Sequence, residues 1–261
     1  MTAPASPAEI LHALRCRLQQ RRLPAAGVLA FGDPRVDAHL PGGGLAVGQL
    51  HEVGAAAMEA QTGAAAGGFA AALLARLPGT ILWIAPCCDL HPPGLLAYGL
   101  DPGRLVLVRT QGDEQTLQVM EAALREGGAG AVLAEAGRLG RMPARRLQHA
   151  CLGGGVTGFV LRRWPHGRKP MPAEGNAAAT RWRLAPAPSD ADPLDPHLDP
   201  GPPRWRVELL HARGGRPGAW IMEAGNAGQR GPEGQAHPLR VVAALADDPA
   251  APAGPRLRAA G

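Results

Sequence analysis

The stretch Leu40 to Gly68 reads L-P-G-G-G-L-A-V-G-Q-L-H-E-V-G-A-A-A-M-E-A-Q-T-G-A-A-A-G-G. A strand running into a loop of small residues and then a helix is the layout in which α/β proteins hold phosphate. That chemistry needs G-x-x-x-x-G-K-[ST]: glycines let backbone N–H groups close round the phosphates, a lysine neutralises their charge, and a hydroxyl holds Mg²⁺. No glycine-lysine pair occurs in this stretch, so the site has the outline of a phosphate loop without its grip.

The other reactive residue types form no constellation. Cys16, Cys87, Cys88 and Cys151 show no C-x-x-C spacing and no nearby paired histidines, which argues against zinc. Neither Cys87 nor Cys88 has an adjacent basic residue to lower its pKa, so both read as structural thiols. His91, His149 and His166 lack triad-like spacing and read as surface or loop histidines. Arg162, Arg163, Arg168 and Lys169 surround Trp164 in a basic run, and Arg138, Arg141, Arg145 and Arg146 extend it. Such residues suit a nucleic-acid backbone, with Trp164 stacking or wedging. Arginine and tryptophan equally suit a protein interface.

Composition narrows the setting. The 261 residues can bury a substantial core, yet 36 glycines and 27 prolines make up nearly a quarter of the chain and predict some unstructured sequence. Aromatic residues are 3% of the chain, with one tyrosine, which leaves few side chains for stacking on bases. The net charge of +5 and pI near 9.7 fit either a basic functional surface or an arginine-rich coding bias. No signal peptide or bilayer-length apolar run is present, which predicts a cytoplasmic protein with reduced thiols.

The elements that would position these residues alternate. Residues 7–22 place Ile10, Leu11, Leu14 and Leu18 on one helical stripe, with Ser6 as a cap. The run from Gly27 to Gly44 is punctuated as loop. Strands are predicted at Val47–Val53, Thr80–Ala85, Leu105–Arg109, Ala131–Glu135 and Val156–Arg163. Helices are predicted at Gly63–Arg76, 93–99, 113–126 and 142–151. Near-continuous apolar strands alternating with helices predict a mainly parallel sheet covered on both faces. Thr180–Ala185, Arg204–Ala212 and Gly218–Ala224 then read as antiparallel strands, the last two joined across R-G-G-R-P. The seven prolines of 186–203 predict a disordered Pro/Asp-rich insert. The expected organisation is an N-terminal amphipathic helix at 1–26, a core at 27–224 and a disordered tail at 225–261, in which only Leu239–Leu245 has the makings of order, on a partner.

Several runs carry a family likeness. G-G-L-A-V-G-Q-L-H-E-V, the continuous block from Thr80 to Arg125, G-N-A-A-A-T-R-W-R-L and R-W-R-V-E-L-L-H-A-R-G-G-R-P-G-A-W resemble, in this order, the RecA-like ATPase core. The likeness is greatest to the ImuA family, a degenerate branch from bacterial damage-inducible mutagenesis cassettes. It implies an α/β fold with a RecA-like core, a mainly parallel central sheet flanked by helices, and an antiparallel C-terminal extension. Set against RecA, the second glycine of the loop is Ala60, the lysine is Gln61, and only Thr62 is kept, with Glu59 adding negative charge. RecA's catalytic glutamate falls on Cys87, its magnesium-linked aspartate on Glu135 and its adenine-stacking tyrosine on Gly94. Glu135 therefore reads as a solvated strand-end carboxylate, or a residue orienting water or metal.

The resemblance implies a protein that hydrolyses no ATP and needs no cofactor, an accessory of SOS-induced error-prone translesion synthesis associated with the nucleoid. The implied partners are an ImuB-like Y-family subunit, an error-prone replicative-type polymerase (DnaE2) and RecA itself, with weak DNA binding and no membrane association. Arg162, Arg163, Trp164, Arg168, Lys169, Arg145 and Arg146 are the candidate DNA or partner surface. A SulA-like cell-division inhibitor, which shares the truncated core, is the alternative. An active DNA-dependent ATPase or recombinase would need a lysine from outside the loop.

Overall fold

Buried strands and one small-residue helix organise the architecture. The computed structural model describes residues 27–57, 59–87, 89–164, 177–190, 201–224 and 239–245. In chain order these form β1 (Val28–Leu29), α1 (Pro34–Asp37), β2 (Leu45–Ala46), β3 (Leu50–Ala55), α2 (Glu59–Ala75), β4 (Ile81–Ala85), β5 (Leu105–Arg109), α3 (Asp113–Glu126), β6 (Ala131–Glu135), α4 (Arg141–Gly154), β7 (Thr157–Arg162), β8 (Thr180–Ala187), β9 (Arg204–Ala212), β10 (Gly218–Ala224) and β11 (Leu239–Leu245). The main sheet runs β11-β10-β9-β8-β3-β7-β6-β4-β5. Neighbours from β8 to β5 are parallel, and the β8–β9, β9–β10 and β10–β11 pairs are antiparallel. The fold is thus α/β, a mostly parallel sheet flanked by helices with antiparallel strands at its C-terminal end.

Period-two alternation divides the core. Trp83, Leu133, Phe159 and Leu161 face α2, while Leu82, Ile84, Val132 and Val160 face α3 and α4. The second half of α2 is apolar all round and correspondingly buried: Phe69, Ala70, Ala71, Ala72, Leu73 and Leu74 are fully covered. Tryptophans bind the extension to this helix. Trp182 lies 5.5 Å from Phe69 and 6.4 Å from Trp220, ring centre to ring centre, and Trp205 lies 5.6 Å from Tyr98. Large aromatic contacts of this kind supply more buried area than any other side chains. Gly68 makes the approach possible, because a Cβ there would sit 2.8 Å from the Tyr98 ring and 2.9 Å from Trp205.

Four local expectations are corrected. Pro92–Tyr98 is a 3-10 helix rather than an α-helix, ending on left-handed Gly99. The strand expected from Val47 begins at Leu50, after a turn through Gly48 with φ of 73°. Pro186, assigned to the insert, lies in β8 opposite Trp205. The β3 ladder stops at Leu184, so beyond it β8 has a partner on one side only, the edge condition proline tolerates. Within the expected structureless tail, Leu239–Leu245 pair with β10 and bury Leu239 and Val241. The N-terminal helix, residues 191–200 and the rest of the tail lie outside the described residues. Among the described residues no helix is long and apolar enough to cross a membrane.

Candidate functional site

The corner between β3 and α2 is closed by its own backbone. β3 ends at Ala55 and α2 begins at Glu59, so Ala60 and Gln61, the positions of the missing glycine and lysine, lie in the first helical turn. A phosphate loop also runs into a helix N-terminus, so the difference lies in residue type: Gln61 brings no positive charge where a lysine would stand. Ala56 N–H donates to Leu184 O at 2.8 Å. Thr62 is buried, accepts from Ala57 N–H at 3.4 Å and donates to Ala57 O at 3.1 Å. The one retained phosphate-loop side chain thus braces the turn.

At the carboxyl edge, Glu135 is not the solvated strand-end carboxylate expected from the sequence. Only 4% of it is exposed. Trp83 Nε1 donates to its Oε1 at 2.7 Å, and Arg163 Nη1 donates to its Oε2 at 2.9 Å. Arg163 also forks onto Asp89 at 2.9 and 2.8 Å. Burial pushes the Glu135 carboxyl above its ordinary pKa, against the opposing pull of Arg163 and Trp83. A cavity of about 410 Å³ opens beside this group, lined by Gly63 and Gly67 of α2, Tyr98, Trp83, Asp89, Glu135 and Arg163 among others. Two carboxylates, Glu135 and Asp89, meet one guanidinium, Arg163, at its wall. Among the described residues no group of three or more His, Cys, Asp or Glu is placed to hold a metal ion.

The expected basic patch is divided. Arg162 turns inward, pairing with Glu52 at 2.7 Å and donating to Gly137 O from Nε and Nη2 at 3.1 and 2.8 Å. Its guanidinium carbon lies 5.1 Å from the centre of the Trp164 ring. Trp164 is itself 7% exposed, so the reading of it as a base-stacking or wedge residue is corrected: the ring is spent on packing. Arg145 and Arg146 are exposed on α4, with Arg146 paired to Glu121 of α3. Arg168 and Lys169 lie outside the described residues.

Cys87 is a half-buried free thiol and Cys151 a buried one, its pKa pushed up to about 12 by burial. His149 is exposed on α4 and His91 lies at the cavity wall.

Sequence reasoning missed Glu52, Asp89 and Arg181, which share these ion pairs; Arg181 Nε lies 3.6 Å from Glu52 Oε2. The available signal was Glu52 itself, a carboxylate inside a core strand, which must find a cation there.

No family model matches the chain. The chain is 46% identical over 228 residues to Protein ImuA of Caulobacter vibrioides, in each of two strains, across 84% of this chain and 91% of the relative.

Proposed function

From the premise that the chain belongs to the ImuA family, we propose that it is a non-catalytic RecA-like accessory protein of error-prone translesion synthesis. It acts through contacts with an ImuB-like Y-family subunit, a DnaE2-type polymerase or RecA. The observation that carries the non-catalytic half is the converted phosphate corner. Gln61 stands at the lysine position, Thr62 is bonded to Ala57, and Glu135 is held by Arg163 and Trp83. Losing the phosphate-paired cation removes the main electrostatic hold on a triphosphate. The RecA-like framework then presents surfaces rather than turning over nucleotide.

Steady-state ATPase and fluorescent-nucleotide binding on the purified chain test this reading. The expected result is no Mg²⁺-dependent turnover, with the ImuB-like subunit captured in pull-down. Turnover abolished by Thr62→Ala or Glu135→Gln in a folded protein would overturn it.

A further inference from the structure

The antiparallel extension has one face packed against α2 and a second face that is partly exposed among the described residues. Trp182, Leu184, Trp205, Val207, Trp220 and Met222 point toward α2. By strand alternation Arg181 and Arg183 of β8, Arg204, Arg206 and Glu208 of β9, and Glu223 of β10 occupy the opposite face, with Arg240 of β11 opposite Glu223. The helices α3 and α4 pack over β3, β4, β6 and β7, away from these strands. The side chains of Arg183, Arg206 and Arg240 are 49%, 42% and 65% exposed.

Here each glutamate is shared between two arginines. Glu208 accepts the Nε–H of Arg183 on one oxygen and that of Arg206 on the other. Glu223 accepts the Nε–H of Arg204 on one oxygen and an Nη2–H of Arg240 on the other, and Asp190 adds a second carboxylate to Arg204. The terminal amino groups of Arg183 and Arg206 engage no other described residue. The carboxylate therefore fixes the direction of both guanidinium forks while leaving one positive charge in excess. At the far end of β9, burial together with Arg181 and Arg213 lowers the pKa of His211, a sign of positive potential there.

We propose that this partly exposed face of β8 to β11 binds the phosphate backbone of a nucleic acid without reading its bases. Three features favour that ligand over an acidic protein. Arg183 and Arg206 stand exposed on the neighbouring strands β8 and β9 and Arg240 on β11, separate cations suited to successive anions of a polymer, whereas Arg181 and Arg204, at 16% and 11% exposure, are held by carboxylates. A guanidinium fork matches two phosphate oxygens at once. The face also lacks the desolvated aromatic anchors that dominate protein interfaces, because Trp182, Trp205 and Trp220 all lie on the other side. That same absence removes base stacking, so binding is to backbone alone. The surface uses none of residues 162–169 and is independent of the accessory role proposed above.

The test is fluorescence anisotropy of the full chain with labelled oligonucleotides of unrelated sequence, duplex and single-stranded, between about 50 and 200 mM salt. Arg183→Gln with Arg206→Gln is expected to weaken binding about tenfold for every duplex and to lower the salt slope by about 1 to 2. The pair Arg145→Gln with Arg146→Gln on α4 should leave both quantities unchanged. The Arg183→Lys with Arg206→Lys variant should restore the salt slope. Melting curves that match the parent confirm that the variants are folded. Binding unaffected by the β-face pair, loss only with the α4 pair, or displacement by polyglutamate as effective as by oligonucleotide of equal charge would each overturn the proposal.

Discussion

Arginine and glutamate are paired in both halves of the sheet, with opposite results. In the parallel half, Arg162–Glu52 is buried and Arg163, itself 20% exposed, holds the buried Glu135, so that each guanidinium is consumed by carboxylates, carbonyls or a ring. In the antiparallel half, Arg183 and Arg206 share Glu208 on a face open to water. Burial turns an ion pair into a lock that must be complete, because an unpaired charge there has no solvent to turn to. Exposure makes the pair cheap to form and cheap to lose, and leaves its excess charge available. Glu52 and Glu135 are held by the first kind of pair, and the surface that presents charge is built from the second.

The sharpest way to break this contrast is to remove one arginine from each half. Arg162→Met should cost about 3 kcal/mol or more by taking from buried Glu52 the guanidinium that lies 2.7 Å away. Arg183→Gln should stay within about 0.5 kcal/mol. Denaturant titration of both variants measures the difference, and equal costs would erase the distinction.

A second probe sits at the seam. His51 of β3 is fully buried between Thr180 Oγ1 of β8 and Ala46 O, at 2.8 Å from each, and burial lowers its pKa to about 4. The unfolded chain takes up the proton first as pH falls. Stability is therefore complete above about pH 6.5 and declines toward pH 4, by about 3 kcal/mol across the window. His51→Gln should flatten that part of a stability-against-pH curve. The glutamates differ in sign between the halves. Arg183 and Arg206 together outweigh burial and hold Glu208 below the ordinary range, so its contribution is lost as pH falls below about 4.5; Glu135 is pushed above that range, and protonation there relieves the folded state.

The smallest effect separates two adjacent glycines of α2. A Cβ at Gly67 would meet nothing within 4 Å and would face the cavity, whereas Gly68 is pressed against Tyr98 and the extension's Trp205. Gly67→Ala should raise stability by about 0.5 to 1 kcal/mol through helix propensity. Gly68→Ala should lower it by about 1 to 3 kcal/mol through overpacking. Thermal melts of the two variants should move in opposite directions.

Much of the fold was legible in local pattern. The bounds of β5, α3, β6, β9 and β10 coincide with those predicted from apolar periodicity and punctuation. β11 was not legible as part of the sheet, because a short strand flanked by Gly, Pro and Ala acquires its partner only when β10 offers an edge. Pro186 misled for a related reason: its cost depends on whether a neighbouring ladder continues past Leu184.

In the candidate site, Ala60 and Gln61 already spoke against phosphate chemistry through residue type alone, although Thr62 is kept. Their surroundings did not show. Glu135 reads as a solvated strand end until Trp83 and Arg163 arrive, and Arg162 and Trp164 read as a binding surface until Glu52 claims the arginine and the ring packs beneath it.

The sequence by itself determined the order of elements, the two apolar faces of the strands and the loss of the phosphate-binding side chains. These follow from neighbours a few residues apart. Tertiary structure alone decided which arginines are spent and which remain outward. Glu52 and Arg162 are 110 residues apart, and a charge's value depends on the partner and the water it meets after folding.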